Sequence, residues 1–76
     1  MTELIEFLVK ALVEEPEAVV VEELEEDGDL IYEVTVAEGD LGRVIGKGGR
    51  VANAIRTIAK AAAVRIDRRV IVDILD

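Results

Sequence analysis

The 76-residue sequence contains no cysteine and no histidine. It therefore cannot form a disulfide or offer a thiol nucleophile, and it lacks the usual zinc ligands and the commonest general base. Aromatic residues are scarce, with one tyrosine and one phenylalanine. No nucleophile, base and metal-binding residues occur in a pattern that would converge on a site, so we expect no enzyme, no metal and no cofactor.

The sequence also lacks a long apolar run and a basic amino-terminal segment. We therefore predict neither a membrane-spanning helix nor a signal peptide, and the expected location is a reducing cytoplasm. Apolar residues make up 51% of the chain, which favours a packed fold over disorder. The length predicts a single domain over residues 1–76.

Charge is distributed very unevenly along the chain. The net charge is −8, with −13 in residues 1–42, +7 in residues 43–69 and −2 in residues 70–76. The total opposes contact with a polyanion, but such an asymmetry between two halves is typical of proteins that bind nucleic acid. The alternative is that the basic residues only form surface ion pairs with the acidic ones.

Three glycines and a lysine form the loop Gly46-Lys47-Gly48-Gly49. Glycine lets the main chain approach an anion closely and reach positive φ at little cost. The N-terminus of the helix expected after the loop also favours a phosphate. A glycine-rich turn between two helices, without a ligand, is the alternative interpretation.

Two better-known phosphate motifs do not fit this loop. A Walker loop needs four residues between its glycines and a hydroxyl residue after the lysine, whereas Gly42 and Gly46 enclose three residues and Gly48 follows Lys47. The spacing of a dinucleotide-binding G-x-G-x-x-G motif is also absent. What remains is the GXXG loop that clamps the backbone of a single strand.

The loop, with Val44-Ile45 before it and Val51 and Ile55 after it, resembles the signature of KH-domain RNA-binding proteins. The whole chain resembles the small bacterial proteins that consist of one type II KH domain, the KhpA-like family. The resemblance implies an α+β fold in the order α-β-β-α-α-β, with a three-stranded sheet and three helices packed on one face.

The same resemblance divides the chain into two parts. Residues 1–29 are the N-terminal helix and first strand, and residues 30–76 are the core KH motif with the GXXG loop at 46–49.

Local patterns predict the first elements. Thr2 is the expected N-cap of a helix that runs through Glu14 and is ended by Pro16. Apolar residues recur at helical spacing, namely Leu4, Ile5, Leu8, Ala11 and Leu12, and Phe7 and Val9 widen this stripe. A strand over Ala18–Glu26 and a turn at Asp27-Gly28 come next. The second strand is predicted from buried alternate residues at Leu30, Tyr32, Val34 and Val36.

Later elements surround the loop. Asp40 is expected to cap a short helix that Gly46 ends. A long helix is predicted over Arg50–Val64, with a core stripe of Val51, Ile55, Ile58 and Ala62. The small residues Ala54, Ala61 and Ala63 are either simple helix formers or a surface for another subunit. The last strand is predicted from the alternation of Val70, Val72 and Ile74.

The resemblance also implies an RNA-binding site around the loop. Main-chain N–H groups of Lys47, Gly48 and Gly49 would meet phosphates, the basic side chains would neutralise them, and the apolar pair would lie under the bases. The residues of this predicted site are Arg43, Val44, Ile45, Gly46, Lys47, Gly48, Gly49, Arg50 and Asn53.

The implied function is to clamp about four nucleotides of single-stranded RNA. Without aromatic stacking, one such domain should bind weakly and gain affinity by combining with others. Members of the family resemble post-transcriptional regulators or RNA chaperones that act as homodimers or with a larger KH-containing partner. Single-stranded DNA remains an alternative ligand. The alternative function is a protein interaction or scaffold module in which RNA binding is secondary or depends on a partner.

Overall fold

A computed structural model describes all residues 1–76 of the chain. The helices are α1 (Thr2–Lys10), α2 (Leu41–Ile45) and α3 (Arg50–Ala62), and the strands are β1 (Val20–Glu26), β2 (Asp29–Thr35) and β3 (Val70–Ile74). Single 3-10 turns occupy Pro16–Ala18, Glu38–Asp40 and Lys47–Gly49. The predicted order α-β-β-α-α-β is confirmed. No helix has the length and apolar character needed to cross a membrane.

The three strands form one mixed sheet in the order β1-β2-β3. The β1–β2 pair is an antiparallel hairpin whose turn residues Asp27 and Gly28 have φ of 51° and 86°. Two successive positive φ values match the twist of a tight hairpin, so the predicted turn is confirmed. Strand β3 runs parallel to β2, because α2 and α3 carry the chain back across one face of the sheet.

The core lies between that face and the helices. Leu30, Tyr32 and Val34 of β2 are buried at alternate positions, as predicted, and Val70 and Val72 of β3 are buried beside them. The helices contribute further buried side chains, namely Ile5, Val9, Val44, Ile55 and Ala59. Each strand of the parallel pair thus directs one face into the core and the other to solvent.

Helix α1 differs from its prediction at both ends. Met1 occupies the N-cap position without a side-chain capping bond, and its carbonyl accepts the N–H of Ile5 at 3.1 Å, so Thr2 is already helical. The helix ends at Lys10, four residues before the predicted end at Glu14. The first strand likewise begins at Val20, two residues later than predicted.

The side chains that α1 and α3 bury also differ from the predicted stripes. On α1, Ile5 and Val9 are buried, whereas Leu12 lies beyond the helix and is exposed. On α3, Ile58 and Ala62 are exposed, and the buried positions are Ala52, Ile55 and Ala59, with Ala63 at the C-cap. The buried positions are three or four residues apart and define one side of α3, and Ile58 lies about 100° around the helix from Ala59, so it faces away from the sheet.

Asp40 stands at the N-cap position of α2 but makes no capping bond with its side chain. Its carboxylate instead accepts the N–H groups of Glu14 and Glu15, each at 3.0 Å, and the Nε–H of Arg43 at 3.2 Å. These contacts satisfy the main chain where it leaves the first helix. They fasten the segment after α1 to the start of α2, and they explain why the helix does not continue to Glu14.

Candidate nucleic-acid interface

Gly46 ends α2 and starts the loop with φ of 75°. A Cβ built at this position would lie 2.8 Å from the N of Val51 and would overlap the Val51 side chain. Both the left-handed φ and the close approach of α3 therefore require glycine. The loop is held tightly against the start of α3.

The tip of the loop is open. Gly48 has φ of 64°, and a Cβ there would meet nothing within 4 Å. Lys47 and Gly48 are exposed. The N–H of Gly49 donates to the carbonyl of Gly46 at 3.1 Å, so this predicted phosphate donor is already used within the turn.

The apolar pair before the loop divides between core and surface. Val44 is completely buried, so the predicted contact between its side chain and a base is wrong. The side chain instead packs in the hydrophobic core under α2. Ile45 is 37% exposed next to the loop. Only one member of the pair can therefore meet a base.

Arg43 does not act as a free cation. Its guanidinium pairs with the carboxylate of Glu14 and, at 3.2 Å, with that of Asp40. A side chain that pairs with Glu14 and with Asp40, at the end of α2 away from the loop, is poorly placed to neutralise a phosphate at the loop. Arg50, on the other side of the loop, is exposed and has no carboxylate within 4.0 Å.

The nine basic residues fall into two groups. Four pair with carboxylates, and these are Lys10, Arg43, Arg68 and Arg69. The other five have no carboxylate within 4.0 Å, and these are Lys47, Arg50, Arg56, Lys60 and Arg65. The ion-pair interpretation of the basic segment thus holds for three of its eight bases. We call the unpaired group the free cations, and they extend from the loop along α3.

A groove lies between α3 and the free edge of β3. Its volume is about 300 Å³, and it is lined by Arg56, Lys60, Arg69, Val70, Ile71 and Val72. A wider cleft of about 550 Å³ continues from Lys60 past Val64 to Arg68. Helix α3 and strand β3 therefore form a track with basic residues along one side, and the loop precedes the N-terminal end of α3.

Arg56 is the residue that joins the helix wall to the strand. Its Nε–H donates to the carbonyl of Val72 at 3.2 Å, and its Nη1 donates to Oδ1 of Asn53 at 3.2 Å. The predicted site contained Asn53 but not Arg56 or Lys60. Their spacing of four residues on one side of the helix is the sequence signal that could have found them.

Two groups have displaced pKa values, and neither lies in the groove. The hydrogen bond from the N–H of Glu14 is the main cause that lowers the pKa of Asp40, and the N–H of Glu15 and Arg43 act in the same direction. Burial, followed by the hydrogen bond to Glu23, raises the pKa of Tyr32 to about 12. The groove thus offers charge and shape, and no tuned acid or base.

Comparison with known proteins gives a consistent result. The RNA-binding protein KhpA of Caldanaerobacter subterraneus subsp. tengcongensis is 51% identical over 75 residues, which cover 99% of this chain and 100% of the relative. The RNA-binding protein KhpA of Clostridium perfringens is 47% identical with the same coverage of both chains.

The fold is also found in a larger solved protein. A variant of Aquifex aeolicus Era bound to GDP and aluminium fluoride superimposes with a TM-score of 0.65 at 22% identity, and the match covers 96% of this chain and 28% of that one. The family model described as "KhpA/KhpB, KH domain" matches residues 2–74. With the element order, the mixed sheet and the GXXG loop, these matches place the chain in the KhpA/KhpB family of type II KH domains.

Proposed function

We propose that this protein binds single-stranded RNA at the loop and along the track formed by α3 and β3. The observation that carries the proposal is the set of free cations on the loop, on α3 and just after it, next to an open glycine loop. Its relatives bear the name RNA-binding protein. Post-transcriptional regulation or RNA chaperoning in the cytoplasm is the role that fits such binding.

In this proposal, phosphates lie at the loop and bases lie in the groove. The N–H groups of Lys47 and Gly48 and the start of α3 face the phosphates, while the side chains of Lys47 and Arg50 supply charge. Ile45, which is 37% exposed, offers an apolar contact within a run of about four nucleotides. Asn53 and Arg56 present donors and an acceptor to base edges.

Exposed apolar residues on α3 and after it offer a place for a second domain. Ile58 is 42% exposed and Val64 is 78% exposed, and Ala54 and Ala61 lie on the outer side of the same helix. We propose that a second copy, or a larger KH-containing protein, packs here. Two linked grooves would convert weak single-domain binding into useful affinity.

The test is fluorescence anisotropy of a labelled single-stranded RNA with two matched double variants. Lys47→Asp/Gly48→Asp changes the loop, and Lys10→Asp/Gly28→Asp makes the same substitutions elsewhere. Gly28 resembles Gly48, because a Cβ there would also meet nothing within 4 Å and its φ is 86°. We expect the loop variant to lose binding and the control to keep it, after circular dichroism shows that both are folded.

Salt dependence adds a second comparison, between Arg50→Gln and Arg43→Gln. For a single strand, each phosphate contact contributes about 0.7 to the slope of log K against log salt. Arg50→Gln should reduce the slope by about that amount, whereas Arg43→Gln should leave it nearly unchanged.

Three results would contradict the proposal. Equal loss of binding in both double variants would show that only the net charge matters. If the loop variant bound RNA as well as the wild type, RNA would not bind at the GXXG loop. If the folded wild type did not bind at about 100 μM, a protein interaction module would become the better interpretation.

A further inference from the structure

The face of the sheet opposite the helices, which we call the open face, is uncovered. In the register of the three strands, Leu24, Ile31 and Ile71 lie side by side and form an apolar row across the sheet. Leu24 is 40% exposed, and Val20, further along the same face of β1, is 56% exposed. Apolar side chains aligned across every strand form a continuous surface and not isolated exposed residues.

A row of carboxylates runs beside the apolar row. Glu22 lies opposite Glu33, and Glu33 lies opposite Asp73. None of the three has a basic group within 4.0 Å. Like charges directly opposite each other on neighbouring strands repel each other, so a positively charged partner would stabilise this row.

A third row completes the pattern on the other side of the apolar one. Glu26 lies opposite Asp29, and Arg69, just before β3, pairs with Asp29 at 2.9 Å. Apart from this arginine at the corner, the open face carries no basic side chain. The free cations all belong to the opposite half of the molecule, on the loop, on α3 and after it.

We propose that the open face docks a basic amphipathic helix of a protein partner. The charge of the face selects a basic partner, and the apolar row requires that the partner also present apolar side chains. This surface meets the RNA-binding track only at its edge, where Arg69 and Ile71 also line the groove. Leu24, Ile31 and the carboxylate row lie outside the groove lining, so the centre of the open face is a different surface.

The spacing of the rows favours a helix. Three strands about 4.8 Å apart place the ends of the carboxylate row roughly 10 Å from each other. Basic residues at positions i, i+4 and i+7 of a helix span about 10.5 Å. Rows two residues apart along a strand are separated by about 6.6 Å, which puts the apolar row within reach of the adjacent side of the same helix.

The test uses a synthetic 14-residue helical peptide with lysines at this spacing and leucines beside them. Binding to the ¹⁵N-labelled full chain is followed by two-dimensional NMR. We expect the largest shift changes at Leu24 and Ile31, which do not line the groove, and none at Lys47 or Gly48. Changes centred on the loop or on α3 would overturn the proposal.

Two triple variants with equal charge changes provide the control. The open-face variant is Glu22→Gln/Glu33→Gln/Asp73→Asn, and the control, which replaces three exposed and unpaired acids elsewhere, is Glu3→Gln/Glu17→Gln/Glu38→Gln. The open-face variant should raise the dissociation constant of the peptide about tenfold, and the control should raise it less than about threefold. Equal weakening would mean attraction by net charge alone and would overturn the proposal.

The apolar row is tested by Leu24→Ser against Phe7→Ser, which removes a 70% exposed apolar side chain from α1. Leu24→Ser should weaken peptide binding, and Phe7→Ser should not. Both triple variants should change RNA affinity equally, so a failure of peptide docking can be told apart from a failure of RNA binding. If RNA abolished the shift changes at Leu24 and Ile31, the peptide would occupy the track and not the open face, and the proposal would be wrong.

Discussion

Gly46 and Gly48 both have positive φ, but a side chain would meet different surroundings at the two positions. At Gly48 the strain of a left-handed residue is the only cost, about 1 kcal/mol for alanine. At Gly46 the new Cβ would also collide with α3 2.8 Å away, and we expect Gly46→Ala to lower the free energy of unfolding by about 3 kcal/mol or more.

Urea denaturation of the two alanine variants measures this difference. If unfolding stays two-state, the free energy of unfolding of each variant should fall with urea concentration at the same rate as that of the wild type. Equal stability of Gly46→Ala and Gly48→Ala would show that the loop and α3 can separate without cost, contrary to the packing described.

Asp40 should make the stability depend on acid pH. Hydrogen bonds from the N–H groups of Glu14 and Glu15 and from Arg43 lower its pKa in the folded chain. A depressed folded pKa means that the carboxylate stabilises the fold above its unfolded pKa of about 3.9, and that this contribution is lost as the pH falls through the folded value.

Thermal unfolding of Asp40→Asn from pH 7 to pH 3 tests this expectation. The variant should be less stable than the wild type at neutral pH, and the difference should shrink as the medium becomes acidic. Glu17→Gln is the control, because Glu17 is exposed and has no such partners. A constant difference across the pH range would contradict the role given to the carboxylate.

At the scale of elements, the β1–β2 hairpin carries a single spectroscopic reporter. Glu23 lies opposite Tyr32, and the hydroxyl of Tyr32 donates to its carboxylate at 2.8 Å. Burial and this bond raise the pKa of Tyr32 to about 12. The neutral phenol therefore stabilises the fold below its unfolded pKa of about 10, and this contribution is lost as the pH rises through about 12.

Tyrosinate absorbance reports this pKa without interference, because the chain has one tyrosine. We expect half-ionisation near pH 12 while far-ultraviolet circular dichroism still shows a folded chain. Glu23→Gln should lower the midpoint, whereas Glu22→Gln, on the open face, should not. A midpoint near 10 in the folded protein would mean that the hairpin does not have the register described.

Sequence reasoning succeeded for elements whose signals are local. The Asp27-Gly28 turn and the alternation of Leu30, Tyr32 and Val34 depend on neighbouring residues, and the structure confirms them. The buried side of α3 was predicted less well. Apolar residues occupy most positions of this helix, so its periodicity does not show which side faces inward, and packing against β2 and β3 decides that Ile58 faces outward.

Over the whole molecule, the acidic half and the proposed RNA-binding track oppose each other electrostatically. The longest dimension of the molecule is 34 Å. The screening length is about 10 Å at 0.1 M salt and about 30 Å at 0.01 M. Acids on the far side therefore repel RNA at low salt and are largely screened under physiological conditions.

The control triple variant described for the open face tests this as well. Glu3→Gln/Glu17→Gln/Glu38→Gln should raise the association rate with RNA about twofold near 0.01 M salt and leave it unchanged near 1 M. Stopped-flow fluorescence measures both rates. An increase that persists at high salt would mean that one of these residues lies within the RNA-binding site.

The segregation of charge could be predicted from the sequence, but the identity of the free cations could not. Arg43 pairs with Glu14 and Arg68 pairs with Glu25, and these partners are 29 and 43 residues apart in the chain. Such pairs depend on how the first helix and the hairpin meet the later elements. The same is true of the groove, since no local pattern places Arg56 beside Val72.

The parallel pairing of β2 with β3 has a consequence for how the protein folds. Leu30 lies beside Val70, 40 residues further along the chain. Contacts between such distant residues form slowly, because the chain loses the entropy of closing a long loop before the contacts stabilise it. The GXXG turn joins two adjacent helices, but the groove needs β3. A partly folded chain would therefore present the loop without the groove, and recognition of RNA should appear only with the last, global step of folding.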